Sequence, residues 1–349
     1  WGHDFRPAYL ALRDAIRELG RPPVLALTAT ATGAVIDDIA KQLAMRDVVR
    51  VHTGIERKNL VFEVFRTPSI EAKQARLSAL LAAHRGVGIV YAATVRVVDE
   101  LFEQLTRQGV QVGRYHGKLK LSERETTQQR FMNDELSLMV ATNAFGLGVD
   151  KPNIRFIVHY NFPDSLESYY QEAGRAGRDG EPARISLLYK LEDKRVQSYF
   201  LGGKYPRREE SARVIDALVR RSRAEPPSAE VAMSELKTLA EVSERRCRVI
   251  VSQLEGASIV TRKRGRVRLV HTFSDAEELA ILLGEYEQRH RDDHARLESM
   301  MHYAQTGLCR VRFLRDYFGD TADLDCGICD NCEAHARGES VAGLDSQAS

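Results

Sequence analysis

Between Leu60 and Lys190 the chain alternates short apolar runs with longer, helix-patterned polar ones, a rhythm few folds accept. Val61–Arg66, Val87–Ala92, Val112–His116, Leu136–Ala141, Ile154–Tyr160 and Ile185–Tyr189 read as buried strands. Ile70–His84, Val95–Gln108, Ser122–Met132 and Leu166–Ala176 read as the helices between them. Continuous apolar strands joined by helical crossovers imply a parallel sheet covered on both faces. In such sheets chemistry gathers in loops at the carboxyl ends of strands, so this chain's motifs are expected there.

The flanks differ. Ahead of the sheet, residues 1–58 hold one expected strand, Val24–Thr28, and a helix over Ala34–Leu43, too little for a domain of their own. Past the sheet domain, assigned to residues 59–200, Gly202, Gly203 and Pro206 mark a change of unit. Ala212–Arg223, Met233–Glu241 and Glu244–Glu255 read as three helices, the last capped by Ser243 and stopped by Gly256. In that last helix Cys247, Ile250, Val251 and Leu254 share one face, and Arg245, Arg246 and Arg248 lie opposite. Ile259–Thr261 and Val267–Val270 flank a hairpin tip of Arg262, Lys263, Arg264, Gly265 and Arg266. Three helices and a basic two-stranded wing make 207–272 a winged-helix unit. Residues 276–335 read as a helical hairpin leading into a cysteine cluster, and 336–349 as a disordered tail.

Charge sharpens that reading. The 349 residues carry a net charge of only +2, yet 205–270 hold 15 Lys/Arg against 9 Asp/Glu. Only Glu255 stands against eight Lys/Arg between Arg245 and Arg268, which points to nucleic acid over a merely solvated face. No run approaches the ~18 apolar residues of a membrane span, and no secretory signal opens the chain.

Cys309, Cys326, Cys329 and Cys332 have the spacing of a closed four-sulfur Zn²⁺ site, structural because no position stays open. The fifth cysteine, Cys247, belongs to the apolar face of its helix and reads as core. In Gln171–Gly180, Arg175 and Arg178 stand three apart around glycines that allow close approach. Paired guanidiniums suit a triphosphate, though a solvated basic turn has the same letters. The segment Ala141–Pro152, with Gly146 and Gly148, follows an apolar strand, where backbone amides can meet phosphates. Trp1–Tyr9 mixes rings with charge and suits either base stacking or a helix entry packed inward.

In this order the segments resemble a RecQ-family DNA helicase. Trp1–Tyr9 is similar to its aromatic-rich loop, Leu27–Ala31 to motif III and Gly88–Ala92 to motif IV. Tyr115–Gly117 through Arg124 and Gln128 is similar to the strand and helix that follow. Ala141–Pro152 resembles motif V, Gln171–Gly180 motif VI, and the cysteines the zinc spacing. The resemblance implies a motor of two RecA-like lobes with ATP and Mg²⁺ between them, moving 3′ to 5′ on DNA and acting in repair and recombination. The second lobe is expected complete and the first partial. Single-stranded DNA and duplex junctions are the implied partners, in a bacterial, nucleoid-associated cytoplasm. Arg178 would be the arginine finger, supported by Arg175 and Gln171. Gly148 and Asp150 would lie by the nucleotide, Asp150 at its ribose. Thr142, Gly146 and Gly148 would line the DNA-coupling loop, and Trp1, Phe5 and Arg6 would sense DNA.

Two departures qualify the implication. The 349 residues contain no G-x-x-x-x-G-K-S/T loop and no acidic Walker B run, and they begin at Trp1. The chain is therefore expected to be a C-terminal piece that neither hydrolyses ATP nor unwinds DNA alone. The winged unit also precedes the cysteines, whereas the family usually places zinc first, so it is expected to be an insertion. Rival readings are a non-catalytic DNA-binding protein on a helicase-like scaffold, an RNA helicase, and a translocase that does not open duplex.

Overall fold

The computed structural model describes residues 12–28, 31–52, 54–146, 149–193, 208–224, 230–256, 259–263, 265–270, 276–320 and 324–339. The readings made at Trp1, Phe5, Arg6, Gly148 and Arg264, and over 340–349, lie outside the described residues.

Helices α1 (Leu12–Glu18) and α2 (Gly33–Gln42) come first. The strand expected at Val24–Thr28 does not form. A strand needs a neighbour to take up its amides, none of the described strands pairs with this segment, and Leu25 and Leu27 stand 82% and 83% exposed.

The sheet follows as β1 (Leu60–Arg66), β2 (Val87–Tyr91), β3 (Val112–Tyr115), β4 (Leu138–Ala141), β5 (Ile154–His159) and β6 (Ala183–Tyr189). All pairs are parallel, in the order β1-β6-β5-β2-β4-β3. Helices α3 (Ile70–Ala83), α4 (Val95–Arg107), α5 (Leu121–Met132) and α6 (Leu166–Ala173) make the crossovers. Three of them start at hydroxyl caps: Ser69, Thr94 and Ser165 accept the amides of Ala72, Val97 and Ser168 at 3.1, 3.2 and 3.2 Å. Val90, Val140, Val158 and Leu188 pack against Leu77 and Leu80 of α3 and Val98, Leu101 and Leu105 of α4. Ile89, Met139 and Ile157, one residue earlier on their strands, are fully buried on the opposite face.

The chain divides into two compact units, one of Val24–Gln197 with Arg296–Ser349, the other of Trp1–Pro23 with Ser198–Ala295. In the second, α7 (Arg208–Ala224), β7 (Val231–Ala232), α8 (Met233–Leu239), α9 (Glu244–Gly256), β8 (Val260–Lys263) and β9 (Arg266–Leu269) succeed one another. The strands form an antiparallel sheet in the order β7-β9-β8. Cys247, Ile250, Val251 and Leu254 are buried together with Val214 and Leu218, as the helical spacing requires. Helix α10 (Ala276–Gln305) then leads to α11 (Arg310–Tyr317) and α12 (Asp330–Ala336), which belong with the parallel sheet. Among the described residues no helix is long and apolar enough to cross a membrane.

Candidate functional site

Helix α6 runs back from the carboxyl end of β5, so the turn that follows it, residues 174–181, lands at the sheet's opposite edge. Gly177 N donates to the carbonyl of Ile154, first residue of β5, at 2.9 Å, and Ala183, first of β6, donates to Asn59 O at 2.9 Å. The expectation of a carboxyl-end site is thus corrected for this turn: a crossover helix must return the chain to the amino-terminal edge before the next parallel strand. Gly177 adopts φ +57°, and a Cβ there would come within 2.4 Å of Asn59 Nδ2 and 2.8 Å of Glu181 O. Arg57 Nη2 donates to Gly177 O at 2.6 Å and Ala176 O at 3.2 Å. Asn59 Nδ2 donates to Gly177 O at 2.8 Å and Glu181 O at 2.9 Å. Neither Arg57 nor Asn59 carried a sequence signal, since their partners lie more than a hundred residues away.

On this turn the two arginines separate. Arg178 is exposed, and its Nη1 reaches Asp150 Oδ1 at 2.6 Å. Arg175 is 9% exposed and turns inward, where Nη1 donates to the carbonyl of Gly146. They do not project from one face, because the helix ends at Ala173 and the chain bends between them. Gln171 is exposed in the last turn of α6. Arg155 Nη2 holds both oxygens of Asp179 at 2.6 Å and keeps that carboxyl below its ordinary pKa.

The loop after β4 does begin at a carboxyl end: Thr142, 8% exposed, donates its amide to Tyr115 O at 3.1 Å. Phe145 is sealed beneath it against Tyr115 and Phe131, at 4.9 and 5.7 Å between ring centroids. Tyr91 Oη donates to Phe145 O at 3.1 Å. Gly146 is required by close approach, since a Cβ would lie 2.3 Å from Arg175 Nη2. Asp150 lies four residues ahead of Ile154, and its side chain is 82% exposed. Beneath α6, His159 and Glu172 form a buried pair at 2.9 Å, with His159 stacked on Tyr91.

The four cysteine sulfurs lie within 4.8 Å of one another. Zn–S bonds of about 2.3 Å place tetrahedral sulfurs about 3.8 Å apart, so the donor set fits the ion. Cys309 caps α11, and Gly327 takes φ +73° between two ligands. Amides of Arg310, Arg312 and Cys326 point at the sulfurs of Cys329, Cys309 and Cys309 at 3.4, 3.5 and 3.2 Å. Hydrogen bonds from the Cys326 and Cys329 thiols hold Cys309 far below an ordinary thiol. The bond to Cys309 pushes Cys326 up to about 11, and burial pushes Cys332 up to about 12. A dication spreads that charge over four thiolates. Between ligands, Asp330 takes Arg310 Nε at 2.9 Å and the edge-strand amide of Val64 at 2.8 Å. The metal-binding segment is thereby fixed to β1.

In the winged unit Arg245, Arg248, Arg262 and Lys263 are exposed, and Arg246 is half-buried. Acids from outside the basic stretch temper it: Glu244 reaches Arg248, Glu210 lies 3.8 Å from Arg246, and Glu230 lies 3.8 Å from Arg266. Glu255 takes Arg262 at 3.3 Å. Lys263 faces Arg266 directly across the hairpin.

Residues 72–180 match the family described as "Helicase conserved C-terminal domain", and 269–333 that described as "RecQ zinc-binding". The parallel sheet and its turn therefore match a helicase C-terminal domain, and the cysteine cluster a RecQ zinc-binding segment. "ATP-dependent DNA helicase RecQ" of Bacillus subtilis (strain 168) is 35% identical over 334 residues, 95% of this chain and 42% of that protein. "Probable ATP-dependent DNA helicase RecS" of the same organism is 38% identical over 219 residues, 62% of this chain and 44% of that one. The solved structure "S. cerevisiae Dbp5 bound to RNA and ADP BeF3" covers 53% of this chain and 51% of its own, at 22% identity and TM-score 0.43, a likeness too distant to carry an argument. Both matches and both relatives make the chain similar to the RecQ family of helicases. It spans less than half the length of these two curated relatives. Neither family match reaches into 181–268, where most of the winged unit lies.

Proposed function

We propose that the protein to which this chain belongs is an ATP-dependent DNA helicase that moves 3′ to 5′. The observation that carries this is the split between two arginines of one turn. Arg175 is buried against the loop after β4, while Arg178 is exposed on a backbone pinned at four carbonyl contacts. An exposed guanidinium on a rigid support can meet the charge that develops on a transferred phosphoryl group. ATP with Mg²⁺ is the nucleotide proposed, with Arg178 as finger and Asp150 at the ribose. Asp150 also gives Arg178 a counter-charge to exchange for phosphate. Gln171 lies in the last turn of α6, four residues ahead of Arg175. Thr142 and Gly146 are the proposed DNA-coupling residues, joined to the finger's turn through Arg175.

Zn²⁺ held by Cys309, Cys326, Cys329 and Cys332 supplies folding stability and no chemistry. The winged unit is proposed to grip DNA, with residues 207–272 as its bounds. Like charges set opposite each other in Lys263 and Arg266 repel in water and are relieved by a polyanion. These 349 residues, without a P-loop sequence, are proposed to be silent as an ATPase. With DNA as its substrate, the protein is proposed to act at the nucleoid.

A strand-displacement assay on the full-length protein tests this. Duplex bearing a 3′ single-stranded tail should open with ATP and Mg²⁺, and a 5′-tailed duplex should not. Opening of RNA alone, or of neither, would overturn the reading.

A further inference from the structure

The segment 54–59 connects the region of α2 to the sheet, and it is held at several points. Gly54, at φ +76°, lies so close to Asp320 that a Cβ would come within 3.1 Å of Oδ2. The carbonyl of Ile55 accepts from Tyr170 Oη, on α6. Glu56 Oε2 lies 3.8 Å from Arg315 Nη1, on α11, and Arg315 in turn lies 3.3 Å from Asp320. Arg57 and Asn59 take the carbonyls of Ala176, Gly177 and Glu181, with Arg57 Nε on Asn59 Oδ1 at 3.3 Å. Five of the six residues from Gly54 to Asn59 thus lie against the helix before the arginine turn, the turn itself or the zinc-binding segment.

We infer that Arg57 and Asn59 are positioning residues for Arg178, and that the connection carrying them is the lever that sets the finger. This rests on the role proposed above for Arg178. The carbonyls they hold lie one, two and three residues from Arg178, on either side. Two hydrogen bonds from Arg57 and two from Asn59 fix the peptide planes around a left-handed glycine that lies in no helix or strand itself. A displacement of the connection then moves the guanidinium with it. Phosphoryl transfer is sensitive to such placement: an error of about 1 Å can cost about a hundredfold in rate.

Two measurements test it. In hydrogen exchange on this chain, Arg57→Ala should speed exchange at Gly177 and Gly180 about tenfold, as expected for loss of one or two hydrogen bonds. The amide of Ala92, bonded to Ala141 across the sheet, should be unchanged. In the full-length protein, Arg57→Ala should lower DNA-stimulated kcat for ATP about 10- to 100-fold with KM within about twofold. Arg57→Lys, which keeps one donor to one carbonyl, should recover part of the loss. Adding Arg57→Ala to Arg178→Ala should cost nothing further. Unchanged exchange at Gly177 and Gly180 overturns the clamp. Full kcat in Arg57→Ala while Arg178→Ala is inactive, or multiplying losses in the double variant, overturns the positioning role. Full activity in Arg178→Ala overturns instead the role of Arg178, and the exchange data still read the clamp on their own.

Discussion

A guanidinium at 9% exposure must find acceptors inside the protein, because a buried unpaired charge costs several kcal/mol. Arg175 finds Gly146 O, and only a glycine leaves it room. Gly146→Ala should therefore force Arg175 aside and destabilise the chain by about 1–3 kcal/mol, measured by urea unfolding. Asp179 gives a pH test. Its hydrogen bond from Arg155 depresses the folded pKa, so the stability it contributes is complete above the ordinary carboxylate value and is lost as pH falls through the folded one. The stability difference between the wild type and Asp179→Asn should hold steady from pH 7 to about 4 and shrink below it. Spacing marked Arg175 and Arg178 as a pair, but the helix end at Ala173 that parts them, and Arg57 and Asn59 that hold their turn, come from contacts remote in sequence.

Elements were more legible. Continuous apolar runs gave all six strands of the parallel sheet, and Ser243, Cys247, Ile250 and Leu254 gave α9 its start and its buried face. The two residues of β7 were too few to show a period, and Val24–Thr28 finds no partner among the described strands. The cysteine segment predicts its own energetics. Removing zinc with a chelator should release α11 and α12 from β1, read as lower unfolding temperature and faster exchange at Val64, whose amide Asp330 holds. Asp330→Ala should do part of the same with zinc still bound. It strips the carboxylate from Arg310, 4% exposed, at a cost of about 3–5 kcal/mol. On the wing, Lys263→Ala should weaken DNA binding for all sequences alike and lower the salt-dependence slope by about 1.

At the scale of the whole molecule, a helicase lobe and a basic winged unit are separate compact bodies in one chain. The cysteine segment and the arginine turn belong to the same body, and the segment 54–59 touches both. Most of the winged unit lies between the two family matches. Arg178 is proposed to sense nucleotide for a DNA-driven motor. The most direct test is ATP hydrolysis by the full-length protein, with and without single-stranded DNA, in wild type and Arg178→Ala. Strong stimulation by DNA is expected in the wild type and a loss of about 10³-fold or more in the variant, the scale of an arginine finger. A variant that hydrolyses ATP at the wild-type, DNA-stimulated rate would contradict it.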